Sequence, residues 1–191
     1  MGLAKDTPEE VLVENAITHL SNLFQQQTDY ADTAAIFIEP VMGEGGYIPA
    51  PPAFLQHLRK VCDEHGIVLV ADEIQTGFGR TGKTFAIEHS GVVPDVMTIA
   101  KGMANGMPIS GIVTKKAILD AMPAGSLGGT YSGNVVACAA ALATTKYMRT
   151  HDVLGNVKAR SEQVFKGLRE IAADEANGGW LIEEIRGQGV S

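Results

Sequence analysis

The sequence has few cysteines, no long apolar run and no cluster of basic charge, and each lack narrows what the chain can be. Cys62 and Cys138 are the only cysteines in 191 residues, each inside an apolar helical pattern. Two buried thiols are expected, with no disulfide framework and no metal site. The apolar runs are too short to span a bilayer, and Met1-Gly2-Leu3-Ala4-Lys5 shows no signal-peptide pattern. The net charge of -7 comes with scattered acidic residues and no Lys/Arg stripe, which argues against nucleic-acid or anionic-membrane partners. There is no internal repeat, no low-complexity tract and no Gly-Lys-Ser/Thr phosphate loop. A composition of 45% hydrophobic and 19% charged residues is that of an ordinary globular chain, and a cytoplasmic protein is expected.

Helix and strand patterns alternate along the chain. Thr7-Pro8-Glu9-Glu10 predicts a helix start, with Thr7 as cap and Glu10 completing a capping box. Val13, Ala16, Ile17, Leu20, Leu23 and Phe24 then recur at helical spacing. Residues 33–39 read as a strand ended by Pro40, and a Gly-rich loop runs on through Pro52. A second helix carries Phe54, Leu55, Leu58, Val61 and Cys62 on one face and stops at Gly66. Residues 67–71 read as a strand that is apolar throughout, as in a parallel sheet covered on both faces, and 96–100 and 109–113 as two more strands. An Ala-rich helix follows from Asn134 to about Arg149, and a further helix places Val164, Phe165, Leu168, Ile171 and Ala172 on one face. This order predicts an α/β fold with a mostly parallel sheet flanked by helices. Residues 1–150 read as the main domain and 151–191 as the beginning of a small second one. Residues 185–191 read as the entry to another strand, and both ends look cut, so a piece of a larger polypeptide is expected.

Two polar residues close apolar strands. Asp72 follows Ile67-Val68-Leu69-Val70-Ala71, and Lys101 follows Val96-Met97-Thr98-Ile99-Ala100. Ligands of open α/β sheets gather at the carboxyl ends of strands. An amine at one strand end and a carboxylate at another meet the needs of pyridoxal phosphate. The amine bonds the aldehyde, and the carboxylate keeps the pyridine nitrogen protonated so that the ring can act as an electron sink. Each residue also has a plainer reading: Lys101 as a surface lysine, and Asp72 as a cap or, with Glu73, a magnesium pair. Glu44 reads by default as part of a flexible turn, Gln75 as a loop amide, Thr130 as a cap of the following helix and Arg80 as a structural tie. His57, His65 and His89 lack ligand spacing and read as structural.

Four segments together carry a resemblance. Ala71-Asp72-Glu73-Ile74-Gln75-Thr76-Gly77-Phe78-Gly79-Arg80-Thr81-Gly82 resembles the signature of the class III pyridoxal-phosphate aminotransferases of fold type I. So do Glu39-Pro40-Val41-Met42-Gly43-Glu44-Gly45-Gly46, Ala100-Lys101-Gly102 and Gly129-Thr130-Tyr131-Ser132-Gly133-Asn134, in the family's order. The resemblance spans essentially the whole chain, but only the central and later part of the family's large domain and the start of its small one. It implies pyridoxal 5'-phosphate as cofactor, with Lys101 as its covalent anchor and later the proton shuttle. It further implies Asp72 on the pyridine nitrogen, Ile74 against one ring face, and Gln75 on the phenolic oxygen. Thr130 matches a position that reaches the phosphate of a neighbouring subunit, which implies a homodimer or tetramer. Glu44 matches a glutamate that pairs with a C-terminal arginine and swings aside for an α-carboxylate.

There are departures. The family's phosphate-cupping turn, the aromatic on the other ring face and the arginine partner of Glu44 are not in this sequence, and Val135 stands where many members have proline. The resemblance implies transfer of an amino group from an ω-amino acid or amine to an α-keto acid such as 2-oxoglutarate or pyruvate. Gly128-Gly129-Thr130-Tyr131 leans towards the 4-aminobutyrate branch. An aminomutase, a decarboxylase or a catalytically incomplete fragment remains an alternative, since the same fold serves several chemistries.

Overall fold

The computed structural model describes residues 7–191. Helix α1 spans Glu9–Gln26 and lays Val13 and Phe24 inward. Its start differs from the expected capping box: Pro8 sits at the capping position in an extended conformation, and no side chain caps the helix from there. Strand β1, Ala35–Ile38, ends before Pro40 as expected. The Gly-rich loop that follows is more ordered than its composition suggests. It is a small antiparallel ribbon of β2, Val41–Met42, and β3, Ile48–Pro49.

Helix α2, Pro52–His65, begins on the fixed φ of proline. It ends where Gly66 turns left-handed, at φ 70°, and gives its N–H to the Cys62 carbonyl. The chain then enters β4, Val68–Asp72, and later β5, Val96–Ile99. β1, β4 and β5 are parallel, in that spatial order. The last strand, β6 at Gly111–Thr114, runs antiparallel to β5. The stretch between Ile99 and Gly111 is too short for a crossover, so the strand can only return alongside. The chain is thus α/β with a mostly parallel sheet.

The core lies between α2 and one face of the sheet. Leu55, Leu58, Val61 and Cys62 pack there with Leu69 and Ala71, joined by Phe24, Ile67, Ile87 and Val92. Tyr30 stacks between Phe24 and His65, with ring centroids 4.0 and 3.8 Å apart, which gives His65 a packing role. Both cysteines are free thiols, Cys62 buried and Cys138 partly so. The short helix α3 covers Lys116–Asp120.

Helix α4, Val135–Thr150, is capped by Asn134 itself, whose Oδ1 accepts from the Val136 and Ala137 N–H groups at 3.1 Å. The cap expected from Thr130 is therefore taken by a nearer residue. A break at His151-Asp152 leads into α5, Val153–Ala173, which buries no residue fully and leaves Ile171 59% exposed. Residues 185–191 form no strand. They fold back on the loop after β4, where the Val190 N–H donates to the Arg80 carbonyl at 3.0 Å. Among the described residues no helix is long and apolar enough to cross a membrane.

Candidate functional site

The carboxyl ends of β4 and β5 lie side by side, because Asp72 is in register with Thr98. Asp72 is half-buried, and its Oδ1 accepts from the Ile74 N–H and the Thr98 hydroxyl, each at 3.0 Å. Its Oδ2 accepts no hydrogen bond from the described residues. The carboxylate is thus oriented on one side and open on the other.

Its neighbour Glu73 is wholly buried and points elsewhere. Glu73 Oε2 accepts from the Thr76 hydroxyl and the Ala86 N–H, and Oε1 accepts from the Ile87 N–H at 2.7 Å. Burial pushes this carboxyl above its ordinary range, while those hydrogen bonds pull the other way. Glu73 is a structural tie between the loop after β4 and the turn Ala86–Ser90, which leaves no Asp72–Glu73 pair facing a common ligand.

Three residues past Thr98, the chain turns sharply and Lys101 takes a left-handed φ of 40°. Lys101 is exposed, and its Nζ donates to Gln75 Oε1 at 3.0 Å. Gln75 Nε2 in turn donates to the Tyr47 hydroxyl at 3.4 Å. Glu44, Tyr47, Gln75, Arg80 and Lys101 line one open cavity of about 530 Å³, with Phe78 and residues 190–191 also on its wall. Four described residues other than glycine have positive φ: Tyr47, Phe78, Lys101 and Asn105. Three of them line this cavity. Strained backbone gathers where the surroundings hold a working geometry in place.

The expected site residues therefore divide into three groups. Lys101, Gln75 and Glu44 meet in one cavity. Asp72 and the half-buried Ile74 sit directly behind Gln75 in the chain but do not line that cavity. Thr130 lies apart, on a second cavity of about 590 Å³ formed by residues 108–110 and 129–134 with Ala137. Tyr47, Phe78 and residues 190–191 were not expected at the site. An aromatic directly after Gly45-Gly46 was the one available signal for Tyr47. The place of Val190 and Ser191 follows from a contact with Arg80 that no local pattern announces.

Comparison with known proteins gives the family. The profile of the family described as Aminotransferase class-III matches residues 3–190. The chain belongs to the class III aminotransferases. Among relatives of this family, the 5-aminovalerate aminotransferase of Pseudomonas putida is 45% identical over 94% of this chain and 41% of its own length. The 4-aminobutyrate aminotransferase of Escherichia coli is 43% identical over 92% of this chain and 40% of its own. An amine transaminase from an uncultivated Pseudomonas species, solved with pyridoxal phosphate bound, superposes with a TM-score of 0.81. It is 34% identical, over 94% of this chain and 41% of its own. The chain spans about two fifths of the length of the class III relatives it matches.

Proposed function

We propose that this chain is the central part of a pyridoxal-phosphate-dependent aminotransferase that moves an amino group from an ω-amino acid, 4-aminobutyrate-like, to an α-keto acid such as 2-oxoglutarate or pyruvate. The observation that carries the reading is the contact of Lys101 with Gln75 beside the half-open carboxylate of Asp72, at two adjacent strand ends. The relatives named for 4-aminobutyrate and 5-aminovalerate support the donor class.

The residues present fit the cofactor. The free Oδ2 of Asp72 suits a ring N–H, and the amine of Lys101 opens to the cavity. Gln75 Nε2 keeps a second N–H for a phenolic oxygen, because Tyr47 takes only one. Bound there, pyridoxal phosphate would supply an electron sink for the substrate's α- or ω-carbon. Lys101 Nζ would hold the cofactor covalently and, once released, carry the proton at the reacting carbon. Asp72 would keep the proton on the pyridine nitrogen, with Ile74 against the ring. Glu44, on the cavity wall, would serve the switch between an ω-amine donor and an α-carboxylate acceptor.

Thr130, on its separate cavity, would reach the phosphate of a second subunit, so the working unit would be a homodimer or a tetramer. Residues 1–150 would belong to the cofactor-binding domain and 151–191 to the start of a smaller one, in a cytoplasmic enzyme. The test is a half-reaction. Full-length protein containing this chain, loaded with pyridoxal phosphate and given 4-aminobutyrate without keto acid, is expected to convert its cofactor stoichiometrically to pyridoxamine phosphate. No conversion with 4-aminobutyrate, 5-aminovalerate or any other amine donor would end the reading.

A further inference from the structure

The chemistry of the site does not explain why Tyr47 holds a strained conformation, nor why Arg186 reaches back to Gly46, 140 residues earlier. Tyr47 sits at φ 54°, a left-handed geometry that side chains rarely adopt. It follows Gly46, whose own φ is 120°. The carbonyl of Gly46 accepts from Arg186 Nε at 2.7 Å. Arg186 is itself held by Glu184, to which its Nη1 donates. The guanidinium lies so close that a Cβ on Gly46 would stand 2.7 Å from its Nη2. A second contact ties the same segment down further on, from the Val190 N–H to the Arg80 carbonyl.

From these contacts we infer that Arg186 and Tyr47 form a positioning relay that sets the amide of Gln75 for Lys101. Gln75 has one carbonyl oxygen and one NH2 group, and the two ends are not interchangeable. The Lys101 amine, which only donates, takes the carbonyl end at 3.0 Å, and the Tyr47 hydroxyl receives the NH2 end at 3.4 Å, which holds the amide from its other side. Arg186 fixes the peptide on which Tyr47 stands. The C-terminal segment of this chain thereby controls the orientation of a group against the reactive amine, without touching that amine. Both residues are positioning residues. The relay rests on the reading of Lys101 as the cofactor lysine only for its consequence.

The test uses full-length protein, stripped of cofactor, with trace acetic anhydride and peptide mass readout of each lysine. Tyr47→Phe keeps the ring and removes the hydroxyl. Arg186→Met removes the donor to Gly46. Each is expected to raise the acetylation rate of Lys101 about threefold, the scale of one lost hydrogen bond, while Lys60 and Lys83 stay as in wild type. The double variant is expected to match either single one, since both act along one path. Arg186→Lys keeps a donor and is expected to restore most of the wild-type rate. An unchanged Lys101 rate in Tyr47→Phe overturns the relay, and so does a rise shared by all lysines, which would mean general loosening. Wild-type protein that takes no pyridoxal phosphate on Lys101 would sink the aminotransferase reading instead and leave the labelling result standing.

Discussion

Thr98 donates its hydroxyl to Asp72 across the seam between β4 and β5, at 3.0 Å and in strand register. That bond and the one from the Ile74 N–H hold one carboxylate oxygen and leave the other open. Asparagine in place of Asp72 can keep both bonds through its amide oxygen but loses the charge. Asp72→Asn is expected to leave thermal stability within experimental error of wild type while kcat falls roughly 10- to 100-fold, the scale of one charge-assisted hydrogen bond. Equal loss of stability and activity would assign Asp72 a structural role.

Glu73 makes the opposite prediction. Its carboxylate answers two backbone N–H groups and one hydroxyl, all buried. Glu73→Ala would leave these donors without a partner, at a cost of roughly 3 kcal/mol or more in unfolding free energy measured by urea titration. A loss below 1 kcal/mol would show that water or a shifted loop replaces the carboxylate.

A charged staple at the other end of the sheet predicts a pH dependence. Asp95 accepts from Lys115 Nζ at 2.5 Å and from the Leu69 N–H and Arg59 Nη1, each at 2.8 Å. Burial works to raise its carboxyl, but the hydrogen bonds from Lys115, the Leu69 N–H and Arg59 outweigh it and bring it down from 3.8 to about 2. A carboxyl lowered on folding stabilises the native state above its unfolded value and loses that contribution as pH falls. The window therefore lies between about pH 4 and pH 2, and the contribution is about 2 kcal/mol. Asp95→Asn is expected to be less stable than wild type at pH 7, with the gap narrowing below pH 4. A gap of constant size from pH 7 to pH 3 would contradict this.

Gly43 lies so near Gln75 that a Cβ there would stand 2.8 Å from Oε1 and 3.0 Å from Nε2. Gly43→Ala must displace the amide from the position in which it meets Lys101. Misplacement by about an ångström can cost up to roughly 100-fold in rate, so a loss of tenfold or more in kcat is expected with little change in melting temperature. Wild-type kcat in Gly43→Ala would show that the amide's placement is irrelevant to the reaction.

The sequence made the main elements legible because local signals agreed with tertiary structure. Gly66 closes α2 where only a left-handed residue fits, and the short, mostly apolar runs became the central strands β4 and β5. The amine and carboxylate could be placed at strand ends from pattern alone. What stayed hidden depends on contacts distant in sequence or on chain direction. The antiparallel sense of β6 is fixed by the length of its connection. The ties of Glu73 are made to backbone more than ten residues away. The fold-back of residues 185–191 rests on the Gly46 and Arg80 carbonyls, so the strand expected there does not form. At the start of α1, proline's extended backbone displaced the capping box that the local motif suggested.

The central claim is that Lys101 holds the cofactor. Borohydride reduction of full-length protein after incubation with pyridoxal phosphate, followed by peptide mass mapping, tests it most directly. The account predicts one reduced adduct, on the peptide carrying Lys101. Adducts spread over Lys60, Lys83 and Lys115, with Lys101 unmodified, would contradict it.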